Sequence, residues 1–218
     1  MKLLTHFLTI FLLSSIAWSA SAFESPDFSQ FRVSESASAE AKVERKLYVA
    51  GGCFWCVESD FEKIDGVKEV RSIYTGGTTK DPTYQEVSKE STGHYEAVEI
   101  VYDPTKVSVQ ELVHQFWFTI DPLDPIGQFC DKGDSYRSAL FFQNEEERKV
   151  MEASLKLIQT HPSMKEQTIA TKILPMSTPY LAEDYHQDYY KKNPIRYKVY
   201  RYRCGRDARL AALWGRGS

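Results

Sequence analysis

The sequence has almost no excess of either charge. Its 27 lysines and arginines stand against 30 aspartates and glutamates, a net charge of −3. That balance gives no basic surface for nucleic acid. No internal repeat or low-complexity tract is present, so array and fibrous architectures are excluded. Cysteine is scarce, at Cys53, Cys56, Cys130 and Cys204. Only the first two are close together, so a closed zinc site would lack its second pair. Nor do His94 and His114 have metal-ligand spacing. Long apolar runs are missing except at the start, where Lys2 precedes LLTHFLTIFLLSSIAWS. A membrane span needs roughly 20 apolar residues, and this run is short and diluted by Thr5 and His6. Ala20-Ser21-Ala22 follows at once as a small-x-small site. We therefore expect residues 1–22 to be a signal peptide cut after Ala22, with a membrane anchor as the alternative.

What remains is ordinary globular composition, 42% hydrophobic and 26% charged, with a generous 13% of aromatics. Residues 23–45 are rich in Ser, Ala and Glu without periodicity and read as a flexible lead. A single domain over 46–218 is expected, large enough to bury a core. Export to a periplasm is expected, and would place the four cysteines in an oxidising setting. Their three possible pairings cannot be separated by spacing.

Apolar periodicity predicts strands at 46–52, 67–77, 94–103, 136–142 and 169–175. Helices are predicted at 53–66, 83–91, 108–121 with Ser108 as N-cap, 145–159 and 182–194, the last ended by Asn193-Pro194. A short helical segment closes the tail. Residues 121–135 read as a long structureless loop, a length that suggests function. The mixed order without strict βαβ rhythm predicts an α+β fold.

GGCFWC, residues 51–56, is the most informative stretch. It lies where a strand turns into a helix, and N–H groups at a helix start favour negative charge. Such a setting is expected to lower the pKa of Cys53 below the ~8.5 of a free thiol and make it a nucleophile. Cys56, one turn later, is within disulfide reach. A structural disulfide, half a zinc site and a thioredoxin-like redox pair facing Thr178-Pro179 are the competing readings. None of them accounts for Phe54 and Trp55, which look like walls for an apolar group.

GGCFWC, PTYQEV (82–87), TGHYEAVEIVYDP (92–104), CDKGDSYRSALFF (130–142) and AEDYHQDYYKKNP (182–194) together resemble the peptide methionine sulfoxide reductase A family. The likeness runs over roughly residues 46–204. It implies a two-layer sandwich of a mixed sheet with packed helices around a ferredoxin-like core. It also implies reduction of the S epimer of methionine sulfoxide, peptide-bound and free, in the repair of oxidised proteins. Neither metal nor organic cofactor is implied, nor a nucleic-acid partner; a thioredoxin-like dithiol protein would supply electrons to a monomer.

By the same resemblance Cys53 is the nucleophile, and Phe54, Trp55 and Tyr136 line the pocket for the substrate methyl group. Glu96 protonates the sulfoxide oxygen, and Tyr84, Asp131 and Tyr136 hold the substrate. The chemistry needs such a donor, because a sulfoxide oxygen leaves poorly unless protonated. A carboxyl among apolar groups can stay protonated at neutral pH. Without the resemblance, a strand glutamate is read as solvent-facing.

The chain departs from the family pattern at its cysteines. Many relatives have glycine in place of Cys56 and resolve through a C-terminal cysteine; here Cys56 and Cys204 both qualify, and the proximity of Cys56 favours it. Cys130 reads as a small buried apolar residue, with a place beside the pocket as the alternative, and His186 as a surface histidine, although the resemblance implies that its segment packs near the active site. Tyr189 and Tyr190 read as packing residues, with the rim of the entrance as the alternative. A general thiol–disulfide oxidoreductase and a disulfide-stapled binding module are the alternative functions.

Overall fold

The computed structural model describes residues 44–215. The expected signal peptide and nearly all of the lead segment lie outside the described residues. Among the described residues no helix is long and apolar enough to cross a membrane.

Within the described residues, eight strands and seven α-helices follow one another as β1 (Arg45–Gly51), α1 (Phe54–Phe61), β2 (Val67–Thr75), α2 (Tyr84–Val87), β3 (Tyr95–Tyr102), α3 (Val109–Trp117), β4 (Gly127–Gln128), β5 (Asp131–Lys132), β6 (Ser138–Phe142), α4 (Glu145–Gln159), β7 (Lys172–Pro175), β8 (Tyr180–Leu181), α5 (Tyr189–Lys192), α6 (Pro194–Arg203) and α7 (Arg206–Trp214). Six strands form one mixed sheet in the order β7-β6-β1-β3-β2-β8. All its pairings are antiparallel except β6 with β7. The α+β expectation holds.

The centre of the sheet is β1 against β3, and every residue of β3 is buried. Period-two alternation divides β3 between two faces. Val98, Ile100 and Tyr102 join the main core with Phe54, Val57 and Phe61 of α1 and Leu112 and Phe116 of α3. Tyr95 and Ala97 enter a smaller cluster on the other face with Tyr48, Ile73 and Phe141. The helix starts are chemically marked. Thr83 and Ser108 each make a reciprocal capping box, with Glu86 and Glu111 respectively, and Asn144 caps α4.

Three sequence expectations need correction. The loop at 121–135 is not structureless: β4 and β5 pair into a small hairpin, and a 3₁₀ turn at Asp134–Tyr136 delays β6 to Ser138. The predicted helix at 182–194 is mostly turn, with α5 as its only helical turn. Pro194 does not end a helix but opens one, occupying the first position of α6, where a missing N–H is harmless. The tail accordingly holds two helices, α6 and α7.

Candidate active site

β1 delivers the chain to Gly51-Gly52, and Cys53 sits at the cap position of α1. Gly52 has φ +80°, and a Cβ there would fall 2.5 Å from Cβ of Gln128. Only glycine combines that backbone conformation with that approach. Gln128 is itself fixed, accepting from Asp121 N at 2.8 Å and donating to Asp121 O at 2.8 Å. The loop after α3 is thus fastened beneath the cysteine turn. Cys53 and Cys56 are free thiols, 6% and 2% exposed.

Sheet register brings the acid to the thiol. Val49 pairs with Val98 across β1 and β3, so Glu96 lies beside the end of β1 where α1 begins. It is 3% exposed and accepts the backbone N–H of Phe54 at 3.1 Å. Burial, more than any neighbour, pushes its carboxyl up to about 8, with the Phe54 N–H pulling the other way and Asp131, Cys56 and Glu90 adding repulsion. At neutral pH Glu96 is mostly the neutral acid. The solvent-facing reading of a strand glutamate fails here. Glu99, three residues on and on the opposite face, takes the ordinary role: it meets Tyr48, Lys46 and Arg71 at 2.8, 3.0 and 3.4 Å.

The thiols correct a second expectation. Burial pushes Cys53 up, and its hydrogen bond to Cys56 and the nearby Glu96 push it further. These outweigh the helix start, whose first N–H is given to Glu96. Cys56 instead falls to about 7, drawn down first by the hydrogen bond from Cys53, against burial, and then by Arg206 and Arg201. The two thiols titrate as a pair, with burial opposing the charge on Cys53 and the arginines favouring it on Cys56.

Those arginines come from the C-terminal helices. Arg206, 2% exposed, donates to Gly51 O at 3.2 Å and Thr119 O at 2.6 Å, and its guanidinium lies 4.7 Å from the ring centre of Phe129. Arg201 reaches Asp60 of α1 at 2.8 Å and Asp207 at 2.7 Å.

Aromatic side chains surround the pair. The Trp55 indole stacks on Tyr189 with ring centres 3.7 Å apart and donates Nε1–H to Nδ1 of His186 at 3.1 Å. His186 is therefore no surface histidine. It is 1% exposed, kept neutral by burial with its pKa near 4, and packed against Phe54 and Tyr84 at 4.8 and 4.6 Å. The segment carrying it is tied down by carboxylates and an amide. Glu58, wholly buried, accepts from Asp188 N at 2.7 Å and Ser72 Oγ at 3.0 Å. Gln187 both accepts from and donates to the Ser72 backbone, at 2.9 and 2.8 Å. Glu183 accepts from Tyr84 N at 2.8 Å and from the Tyr74 hydroxyl at 2.9 Å.

Tyr84, Tyr136 and Asp131 converge on the same space. The Tyr136 hydroxyl is raised by burial and then by Glu96, Tyr84, Asp131 and Cys53. Tyr200, unremarked in the sequence, hydrogen-bonds the Asp131 carboxylate and reaches the Cys53 sulfur. All the sequence-predicted pocket residues are thus gathered around Cys53. Tyr189 packs as expected, on Trp55; Tyr200 and Arg206 were not singled out, since nothing local in the sequence marks them. Thr178-Pro179 lies against Thr75, whose hydroxyl donates to Thr178 O at 3.4 Å.

Cys130 is neither buried nor free. It is exposed and forms a disulfide with Cys204. Cys204 therefore is not the free tail thiol that the sequence suggests. Its sulfur lies 3.7 Å from the Asp131 carboxylate that Tyr200 also grips.

A family profile described as Peptide methionine sulfoxide reductase matches residues 45–217. Peptide methionine sulfoxide reductase MsrA 2 of Caulobacter vibrioides is 48% identical over 179 residues, 82% of this chain and 89% of that one. The MsrA of Halalkalibacterium halodurans is 45% identical, covering 81% of this chain and 99% of its own length. Among solved structures, reduced Mxr1 of Saccharomyces cerevisiae superposes with TM-score 0.66 and 30% identity, covering 73% of this chain and 91% of that one. Methionine sulfoxide reductase A of Corynebacterium diphtheriae gives 0.62 and 34%, with 69% and 76% covered.

Proposed function

Because the chain belongs to the peptide methionine sulfoxide reductase family, and so reduces methionine sulfoxide, we propose that Cys53 is its nucleophile and Glu96 its acid. The observation that carries this reading is the buried Glu96 carboxyl, raised to about 8 and hydrogen-bonded to the residue after Cys53. A neutral acid is needed at the place where negative charge develops.

Cys53 becomes a thiolate by passing its proton across the shared hydrogen bond to Cys56. The thiolate attacks the sulfoxide sulfur while the Glu96 proton moves to the oxygen. The sulfur–oxygen bond breaks, methionine leaves, and the oxygen ends on Cys53 as a sulfenic acid. Tyr84 and Tyr136 donate to the oxygen as charge builds, and Asp131 orients the site. Phe54, Trp55 and Tyr136 form an apolar seat for the methyl group and favour the S epimer, peptide-bound or free. Cys56 then returns as a thiolate and attacks the Cys53 sulfur; the hydroxyl leaves as water and a Cys53–Cys56 disulfide forms. A dithiol protein of the thioredoxin class recycles it. The enzyme works as a monomer, in the periplasm, after loss of residues 1–22.

The test is turnover of the separate S and R epimers of a methionine sulfoxide peptide with excess dithiothreitol. Only the S epimer is expected to disappear, and Cys53→Ser is expected to be inactive. Full turnover by Glu96→Gln would remove the acid from this account. Reduction of insulin disulfides without turnover of either epimer would favour a general thiol–disulfide oxidoreductase.

A further inference from the structure

The buried seat dictates where a polypeptide substrate must lie. Cys53 and Glu96 are 6% and 3% exposed, so an oxidised methionine has to reach inward while its own backbone stays at the rim. The residues on either side of it then run over the surface that borders the seat. Tyr200 forms part of that border. Its ring packs against the cluster of Cys53, Cys56 and Tyr197 and stands edge-on to Trp55, with ring centres 5.9 Å apart. Its hydroxyl donates to the Asp131 carboxylate. Tyr200 also lines an open cleft of about 470 Å³, together with Cys130, Ile195, Arg196, Val199, Arg203 and Cys204.

Two properties of that cleft are not used by the chemistry at Cys53. The first is apolar surface. Ile195, Val199 and Tyr202 are 79%, 46% and 85% exposed and fall at i, i+4 and i+7 of α6, on one helix face. Exposed apolar surface gathered in this way marks a binding surface. The second is charge. Arg196 and Arg203 are exposed, and α6 carries no acidic residue to neutralise them. Among the described residues neither forms an ion pair, whereas Arg201 on the same helix is held by Asp60 and Asp207. The Cys130–Cys204 disulfide ties the turn of the β4–β5 hairpin to the end of α6, so both walls of the cleft are fixed. Helix geometry sets the reach. At a rise of about 1.5 Å per residue, Arg203 and Arg196 lie roughly 4.5 and 6 Å from Tyr200 along the axis, in opposite directions. An extended chain advances about 3.3 Å per residue, so side chains roughly two or three positions from the oxidised methionine come level with them.

We propose that the α6 cleft is a second substrate subsite, which seats the chain flanking an oxidised methionine and selects sequences with acidic and apolar residues close to it. The occupant is an extended, unfolded stretch of polypeptide, because such a stretch can send its methionine into the buried seat and lay its neighbours on α6. This deepens the reading of Cys53 as the nucleophile and rests on it. Arg196 and Arg203 attract the flanking acid, and Ile195 and Val199 take the apolar neighbours. Free methionine sulfoxide has no flanks and is indifferent to all four.

The test measures kcat/KM, with excess dithiothreitol, for free methionine sulfoxide and for S-epimer peptides that differ only in their flanks. Aspartate, glycine or lysine occupies the second and third positions on each side. The aspartate peptides are expected to exceed the lysine peptides about tenfold at low salt, mainly through KM, and by less at high salt. The net charge of −3 would by itself favour lysine, so an aspartate preference reports the cleft. Arg196→Glu with Arg203→Glu is expected to reverse the order, and Ile195→Asn to lower kcat/KM several-fold for peptides with apolar flanks. Both variants should reduce free methionine sulfoxide within about twofold of wild type. Equal rates for aspartate and lysine peptides would overturn the proposal, as would an aspartate preference that survives the double arginine variant. Flank-independent turnover together with binding to phosphatidylglycerol vesicles, lost in Ile195→Asn, would assign the face to a lipid surface instead. If neither free nor glycine-flanked methionine sulfoxide is reduced, the reading of Cys53 has failed; if both are reduced and flanks make no difference, only the subsite has.

Discussion

The two sulfur pairs of this chain differ in every physical respect that matters to their chemistry. Cys53 and Cys56 are buried, reduced, three residues apart and set at a helix start. Cys130 and Cys204 are joined, 74 residues apart, with Cys130 open to solvent. Burial gives the first pair what a sulfoxide needs, a neutral acid and a dry apolar seat, and removes it from contact with other proteins. Exposure gives the second pair access to solvent, with the Asp131 carboxylate 3.7 Å from the Cys204 sulfur. Reactivity and accessibility are assigned to different cysteines, and the Asp131–Tyr200 contact stands between them. Burial matters to the first pair, because a carboxyl kept protonated by burial loses its raised pKa when water reaches it.

The largest effect should come from the acid. Glu96→Gln is expected to lower kcat for the first turnover by about 10²- to 10³-fold, within the range for a general acid. The pH profile sharpens the test. Glu96 must be protonated, so activity should fall as pH rises through about 8, and that decline should be absent from the residual activity of the variant. Rapid-quench measurement of methionine release across pH checks both. A retained alkaline decline would assign it to another group.

A smaller effect separates the two steps within the inner pair. Arg206 favours the Cys56 thiolate from beneath the turn. Arg206→Met should slow disulfide formation about tenfold, one pKa unit being worth about 1.36 kcal/mol. The first methionine should still be released normally. Arg206→Lys, which keeps the charge, should recover most of the loss. Thiol counting against time after one equivalent of substrate distinguishes these steps.

How far the sequence foretold this arrangement depends on the range of the interactions. β1, β3 and α4 and the Ser108 cap were readable because alternation, helical spacing and capping chemistry act over a few residues. The position of Cys53 at a strand-to-helix turn was readable for the same reason. The burial of Glu96 was not, since a period-two pattern does not say which face a helix will cover; only the family resemblance singled it out. Residues 182–192 misled because their order comes from Glu58, Gln187 and Glu183 holding distant partners rather than from helical hydrogen bonds. That is also why His186 looked like a surface residue. The Cys130–Cys204 bond was beyond spacing alone, and the helix-start rule misjudged Cys53 because burial, and then Cys56 and Glu96, raise its pKa.

The smallest expected effect concerns the frame of the inner pair. Burial raises Glu58 to about 7, so its contribution to stability is full below its ordinary value near 4.5 and is lost as pH rises through about 7. Glu58→Gln keeps an acceptor for Asp188 N and removes the titration. Its melting temperature should vary less than wild type between pH 5 and 7, as scanning calorimetry would record. An unchanged slope would mean that other carboxyls govern that range.

The most direct test of the division between the pairs is disulfide mapping after one turnover. The protein with Cys53 and Cys56 reduced and Cys130–Cys204 intact receives one equivalent of methionine sulfoxide peptide, is alkylated, digested and analysed by mass spectrometry. The account predicts a new Cys53–Cys56 disulfide in chains that still hold Cys130–Cys204. A Cys53–Cys204 disulfide with Cys130 alkylated, and no Cys53–Cys56, would contradict it, for the outer pair would then take part in resolution.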